Sequence, residues 1–140
     1  MQSTYRVLTS GVHHVGLTVN RLDDTAHFFI DLLGWQEVRR DDSYPAIFVS
    51  DGTVMLSLWA TQLSADQQTV QLFNKETNIG LHHLALQVES KGALHEIYRR
   101  LLEQAVHIEF PPEQLREGPA QHMMCFEPSG IRLEFIWPGN

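Results

Sequence analysis

The sequence predicts an α+β fold of two βαβββ modules, which together make a cupped, mostly antiparallel mixed sheet flanked by helices. Three observations lead there. The stretch Val12-His13-His14-Val15-Gly16-Leu17-Thr18-Val19 returns as Leu81-His82-His83-Leu84-Ala85-Leu86-Gln87-Val88, an offset of 69 residues from His14 to His83. The same offset carries through the helical pattern that follows, aligning Phe28 with Ile97, Phe29 with Tyr98, Leu32 with Leu101 and Leu33 with Leu102. A unit of one helix on a short sheet cannot bury both its faces, so two copies must pack together, within one chain or between chains. The 140 residues then divide into module 1 (about 10–60), a connection (about 61–78) and module 2 (about 79–138) of a single domain.

Residues 12–19 alternate as a strand, with Val15, Leu17 and Val19 on one face and His14, Gly16 and Thr18 on the other. Asp23 or Asp24 is placed to cap a helix carrying Leu22, Ala26, Phe29, Leu32 and Leu33, and Gly34 stands where a left-handed C-terminal residue is expected. Strands follow at 37–40, 45–50 and 53–59, the last two joined across Asp51-Gly52 as a two-residue hairpin. The polar stretch from Ala60 to Asn78 reads as the connection between the halves, with part of it expected to be either helical or mobile. The second copy brings a strand at 81–88, a helix at 92–104 and a strand at 106–110. A proline-rich loop at 111–120 and a hairpin of 121–126 with 131–137 complete it. In this late part the offset becomes 78, which pairs Phe48 with Phe126, Gly52 with Gly130 and Trp59 with Trp137.

A net charge of −7, with ten Lys and Arg and no basic run, argues against nucleic acid and anionic membranes as partners. No stretch is long and apolar enough for a membrane span or a signal peptide, so a cytoplasmic, soluble protein is expected. The single cysteine, Cys125, between Met124 and Phe126, reads as a quiet buried thiol.

His14 and His83 occupy the same register in the two copies, on faces that a sheet pairing would bring together. Glu134 lies among Leu133, Phe135, Ile136 and Trp137, where a carboxylate is costly unless paired or bound to a cation. Two imidazoles and one carboxylate are the composition of a divalent metal site with open positions, which catalysis on a metal requires.

Three motifs give the chain a resemblance to the vicinal oxygen chelate superfamily, which includes glyoxalase I, methylmalonyl-CoA epimerase, extradiol dioxygenases, fosfomycin-modifying enzymes and metal-free bleomycin-binding proteins. They are His14 to Val19 with its partner at His83, Phe28-Phe29-Ile30-Asp31-Leu32-Leu33-Gly34-Trp35, and Glu127-Pro128-Ser129-Gly130-Ile131-Arg132-Leu133-Glu134. The resemblance covers almost the whole chain. It implies metal ligands at His14, His83 and Glu134, one divalent ion (Zn, Ni, Mn, Co or Fe), a small oxygen-bearing substrate and a homodimer. Glyoxalase I and the epimerase resemble this chain except at a fourth ligand, often glutamate. Here the glycine alignment puts Leu56 at that place and a one-residue slip puts Ser57. The fosfomycin branch has a threonine where this chain has Gly16, and both that branch and the extradiol branch have a tyrosine where it has Met124. The resemblance thus implies a glyoxalase-like lyase or isomerase first, an iron-dependent extradiol-type dioxygenase second and a non-catalytic binding or resistance protein third.

Beyond the ligands, Glu134 and His122 are the candidates for catalytic acid–base work, since alternation places His122 with Met124 and Phe126 and imidazole titrates near neutrality. Tyr44, Phe48, Leu56 and Trp59, with Met124, are expected to wall the cup against a small organic substrate. His13 and His82 should lie on the opposite strand face in packing or surface hydrogen bonds, and His27, His95 and His107 on helix or surface faces.

Overall fold

The computed structural model describes residues 1–62 and 71–140; the described part of the connection, 61–62 and 71–78, holds a turn at 75–77 and no helix, and the rest of it lies outside the described residues. Module 1 comprises β1 (His14–Val19), α1 (Leu22–His27) running into a π-helical turn (Phe28–Leu32), β2 (Gln36–Asp41), β3 (Ala46–Ser50) and β4 (Met55–Ala60). Module 2 comprises β5 (Leu84–Gln87), α2 (Lys91–Glu103), β6 (His107–Gln114), β7 (Gln121–Phe126) and β8 (Arg132–Trp137). Each module carries its own four-stranded mixed sheet, β1-β4-β3-β2 and β5-β8-β7-β6, in which the first strand is parallel to the last and the others are antiparallel. This is the βαβββ module twice over. No ladder joins the two sheets among the described residues, and β1, which begins at His14, and β5, which begins directly after His83, stand at the sheet edges.

One hydrophobic core joins the modules. It takes Leu17, Val19, Ile47, Val49, Leu56 and Leu58 from one sheet and Met123, Cys125, Leu133 and Phe135 from the other, with Phe29, Leu94 and Leu101 from the helical segments. In both sheets the alternate residues therefore point to an outer face, away from the core. Burial pushes the Cys125 thiol up to about 12, with the Glu127 carboxylate adding to the effect, so it stays protonated and inert as expected. No helix among the described residues is long and apolar enough to cross a membrane.

Local details correct the sequence reading in several places. Neither Asp23 nor Asp24 caps α1. Both lie inside its first turn, where their charge still suits the helix dipole, and Arg21 holds the cap position without a side-chain bond. Gly34 does take the left-handed conformation, at φ +79°. The β3–β4 connection has four residues, not two, because Asp51 Oδ1 accepts from the backbone N–H groups of Thr53 and Val54 and rounds the turn locally. The proline-rich stretch begins as strand: β6 continues through Pro111 and Pro112 to Gln114, tolerated because β6 is an edge strand and its register shifts there.

The late offset is 77 in β4 and β8, not 78. Ser57 lies opposite Gly16 and Glu134 opposite Ala85, so Ser57 is the counterpart of Glu134, and Trp59 that of Ile136. Leu56 is fully buried on the core face and neither walls the cup nor occupies the ligand position.

Candidate functional site

The outer face of module 2 gathers the chemistry. Glu134 on β8 lies opposite Met124 on β7 and Ala85 on β5, and His122 sits diagonally across, opposite Ile136. His122 Nδ1 is 2.5 Å from Glu134 Oε2, an imidazole–carboxylate hydrogen bond between side chains that are each 12 % exposed. His83 Nε2 stands 3.6 Å from the other oxygen, Oε1. On its far side His122 Nε2 lies 3.7 Å from Glu113 Oε1, and the Phe110 ring packs against the imidazole with centroids 5.0 Å apart. Glu134 thus has two histidines in contact with it and, among the described residues, no hydrogen-bonded arginine or lysine, though the Arg132 charge acts on it from nearby. Arg132, on the same face, is bound by both oxygens of Glu109 at 2.9 and 2.7 Å, which holds the Glu109 carboxyl below the usual range.

The doubled histidines work as pairs. His82 Nδ1 and His83 Nδ1 share a hydrogen bond at 2.8 Å, and His13 and His14 repeat it at 2.9 Å, with the rings edge to face in both. One nitrogen of each candidate ligand is thereby occupied, which leaves Nε2 for a further partner. Desolvation, then the Arg132 guanidinium and His83, hold His82 below the usual histidine range, which favours its neutral form. The sequence reading gave His13 and His82 surface hydrogen bonds but missed this orienting contact. The duplication of both histidines in one register was the available signal.

On module 1 the equivalent row is Gly16, Ser57, Phe48 and Arg39. A Cβ at Gly16 would come within 3.2 Å of Ser57 Oγ, so Ser57 leaves little room there for the threonine of the fosfomycin branch. Phe48 and Tyr44 each pack edge-on against Trp59, at 5.7 and 5.1 Å between centroids, so three of the expected wall residues do form one aromatic cluster. Met124 is buried beside Glu134 on the other sheet.

Within one chain the structure brings His83, Glu134 and His122 together but leaves His14 on the other sheet. Among the described residues no group of three or more His, Cys, Asp or Glu is placed to hold a metal ion. The reason is visible in the pairing: each Glu134 oxygen faces a different imidazole, so the donors form a chain and do not converge. The donors of a single chain therefore do not fit the ion that the sequence implies; two of the three expected ligands are adjacent and the third is elsewhere. Two clefts, of about 910 and 1140 Å³, run near the seam between the modules, and neither is lined by His14, His83, His122 or Glu134.

The profile of the glyoxalase/bleomycin resistance protein/dioxygenase superfamily matches residues 11–135. Among solved structures, a glyoxylase/bleomycin resistance protein/dioxygenase domain from Frankia sp. EAN1pec is 27% identical, with a TM-score of 0.78, and the match covers 93% of this chain and 98% of that one. A lactoylglutathione lyase from Agrobacterium tumefaciens (18% identical, TM-score 0.70, 94% and 96% covered) shares the fold. So does a fosfomycin resistance protein from Listeria monocytogenes (17% identical, TM-score 0.72, 93% and 94% covered). No match was found among curated protein sequences.

Proposed function

Since the chain belongs to the glyoxalase/bleomycin resistance protein/dioxygenase superfamily, we propose that it is a metal-dependent enzyme of glyoxalase type, a lyase or isomerase acting on a small oxygen-bearing substrate. The observation that carries this reading is Glu134: a nearly buried carboxylate in contact with two imidazoles, while the nearby Arg132 guanidinium is hydrogen-bonded to Glu109 instead. His83 and Glu134 would hold the ion together with His14 from a second copy of the chain, whose β1 edge meets the β5 edge of the first. A divalent ion there would polarise a substrate oxygen and stabilise the oxyanion formed. His122 orients the Glu134 carboxylate through Oε2 and can hold or deliver a proton at that atom. His82 keeps the His83 ring turned so that Nε2 faces Glu134. Ser57 in place of a second carboxylate leaves His122 and Glu134 as the groups available to carry the proton.

The test is elemental analysis of untagged protein prepared without chelator, wild type against Glu134→Ala. The expected result is near-stoichiometric zinc, nickel, manganese or cobalt in wild type and at least a tenfold loss in the variant, since even residues that only support a ligand cost about 10–100-fold. Stoichiometric iron would move the assignment to an extradiol-type oxygenase. Wild type that stays empty after reconstitution with each ion would sink the metal-enzyme reading. The aromatic cluster of Tyr44, Phe48 and Trp59 favours one second reading in that event, a non-catalytic protein that sequesters an apolar compound.

A further inference from the structure

Arg39 is an arginine without a dedicated carboxylate in an acidic protein. Arg21, Arg40, Arg99, Arg100 and Arg132 each hydrogen-bond a nearby Asp or Glu. The guanidinium of Arg39 instead lies over the Phe48 ring, 5.4 Å from its centroid, and no hydrogen-bonded acid accompanies it among the described residues. Its near acid on the strand, Asp41, spends its hydrogen bonds elsewhere and acts on Arg39 only weakly, through charge: Oδ1 accepts from Ser43 Oγ at 2.7 Å, from the Ser43 backbone N–H at 3.0 Å and from that of Tyr44 at 3.5 Å. A cation–π contact with the ring does not use up the guanidinium's five N–H donors, which stay available to an anion. The placement adds to this. Arg39, Phe48, Ser57 and Gly16 form one cross-strand row on the outer face of module 1, equivalent to the row in module 2 that holds Glu134. Trp59 and Tyr44 extend the ring surface beside it.

We infer that Arg39, held over Phe48 beside Trp59 and Tyr44, is the anchor for a carboxylate on the substrate, and that the substrate class is an organic acid with an apolar or aromatic body. This rests on the proposed reading that β1 of one copy meets β5 of another, which sets the outer face of module 1 of the one beside the Glu134 face of the other. The rings take the apolar body and the guanidinium the carboxylate, so the functional group to be transformed is presented to the Glu134 side of the cup. A charge-assisted planar pair of this kind discriminates strongly against the neutral amide, because the fork then has no anion to bind.

The test uses 3-phenylpropanoate and its neutral isostere 3-phenylpropanamide as probes of chelator-treated protein, so that a metal ion does not contribute to binding. Affinity is read from the indole N–H resonance of Trp59 and from calorimetry, for wild type, Arg39→Gln and Arg39→Lys. Wild type should bind the carboxylate about tenfold tighter than the amide, Arg39→Gln should bind both alike, and Arg39→Lys should keep part of the preference. Equal affinity for the two probes in wild type, no binding of either, or an undiminished preference in Arg39→Gln would overturn the inference. Metal content of the same untreated samples separates the two claims. Metal retained without carboxylate preference rejects the anchor alone, while carboxylate preference in a protein that never takes up metal rejects the enzyme reading alone.

Discussion

Phe29→Ala lowers the stability of the fold by about 3–5 kcal/mol, the range for removing a fully buried aromatic ring and leaving a cavity. Phe29 has no exposed surface, and its ring sits between Phe28, edge-on at 5.3 Å, and Trp35, tilted at 5.0 Å. The π-helical turn makes the arrangement rigid: Leu33 N–H reaches Phe28 O and Trp35 N–H reaches Phe29 O at 2.9 Å, so the backbone cannot easily collapse into the void. Phe29→Leu, which keeps most of the volume, should cost well under half as much. Urea unfolding of the three proteins gives the difference directly. A loss below about 1 kcal/mol in the alanine variant would show that the ring is not a core element.

Thr25→Val has the second largest expected effect, although it removes no volume. Glu127 is 2 % exposed, and its Oε2 accepts from Thr25 Oγ1 at 2.6 Å while Oε1 accepts from the Ile131 backbone N–H at 2.9 Å. Thr25 Oγ1 also lies 2.8 Å from Ser129 Oγ, and Ser129 Oγ accepts from the Arg21 backbone N–H at 3.2 Å. This cluster ties α1 of module 1 to the β7–β8 turn of module 2. Valine leaves a buried carboxylate oxygen without its donor, at a cost of about 1.5–3 kcal/mol. Thr25→Ser, which keeps the hydroxyl, should recover most of that, and the two midpoints compared at equal slope decide the matter. If valine and serine unfold together, the bond contributes nothing to the seam.

These two sites also show what the sequence could and could not disclose. The buried Phe29 followed from helical spacing, and the repeat at offset 69 located both edge strands and both histidine pairs, because strand alternation and helix periodicity are local. The π-helical turn was not legible. One widened turn inserts a residue without changing composition, and Phe28 and Phe29 in succession both end up buried. The register of β4 was misread for a related reason. Gly52 and Gly130 mark turns, and the two turns differ by one residue, 51–54 against 127–131, so aligning glycines slipped the following strand by one. A slip of one exchanges the faces of a strand, which is how fully buried Leu56 was assigned to the cup and Ser57 was left as the alternative.

The candidate site was legible in part. Glu134 stood out as a carboxylate in an apolar strand, and alternation along β7 placed His122 on the face of Met124 as an acid–base candidate, without naming Glu134 as its partner. The bond between them joins residues diagonal to each other on neighbouring strands, which only the register supplies. Arg39 was invisible to sequence reasoning because a basic residue on an edge strand is usually a solvated one. Its distinction lies in the engagement of Asp41 with the Ser43–Tyr44 turn.

The central claim, a metal site completed by His14 of one copy and by His83 and Glu134 of another, is tested most directly by mixing His14→Ala with Glu134→Ala after unfolding and refolding them together. Each variant refolded alone should be empty of metal. Random pairing makes about half of the dimers mixed, and each mixed dimer restores one of two equivalent sites, so the mixture should recover about a quarter of the wild-type metal content. A mixture as empty as its components, from a wild type that takes up metal normally, would contradict the shared site and place all of the ligands within one chain.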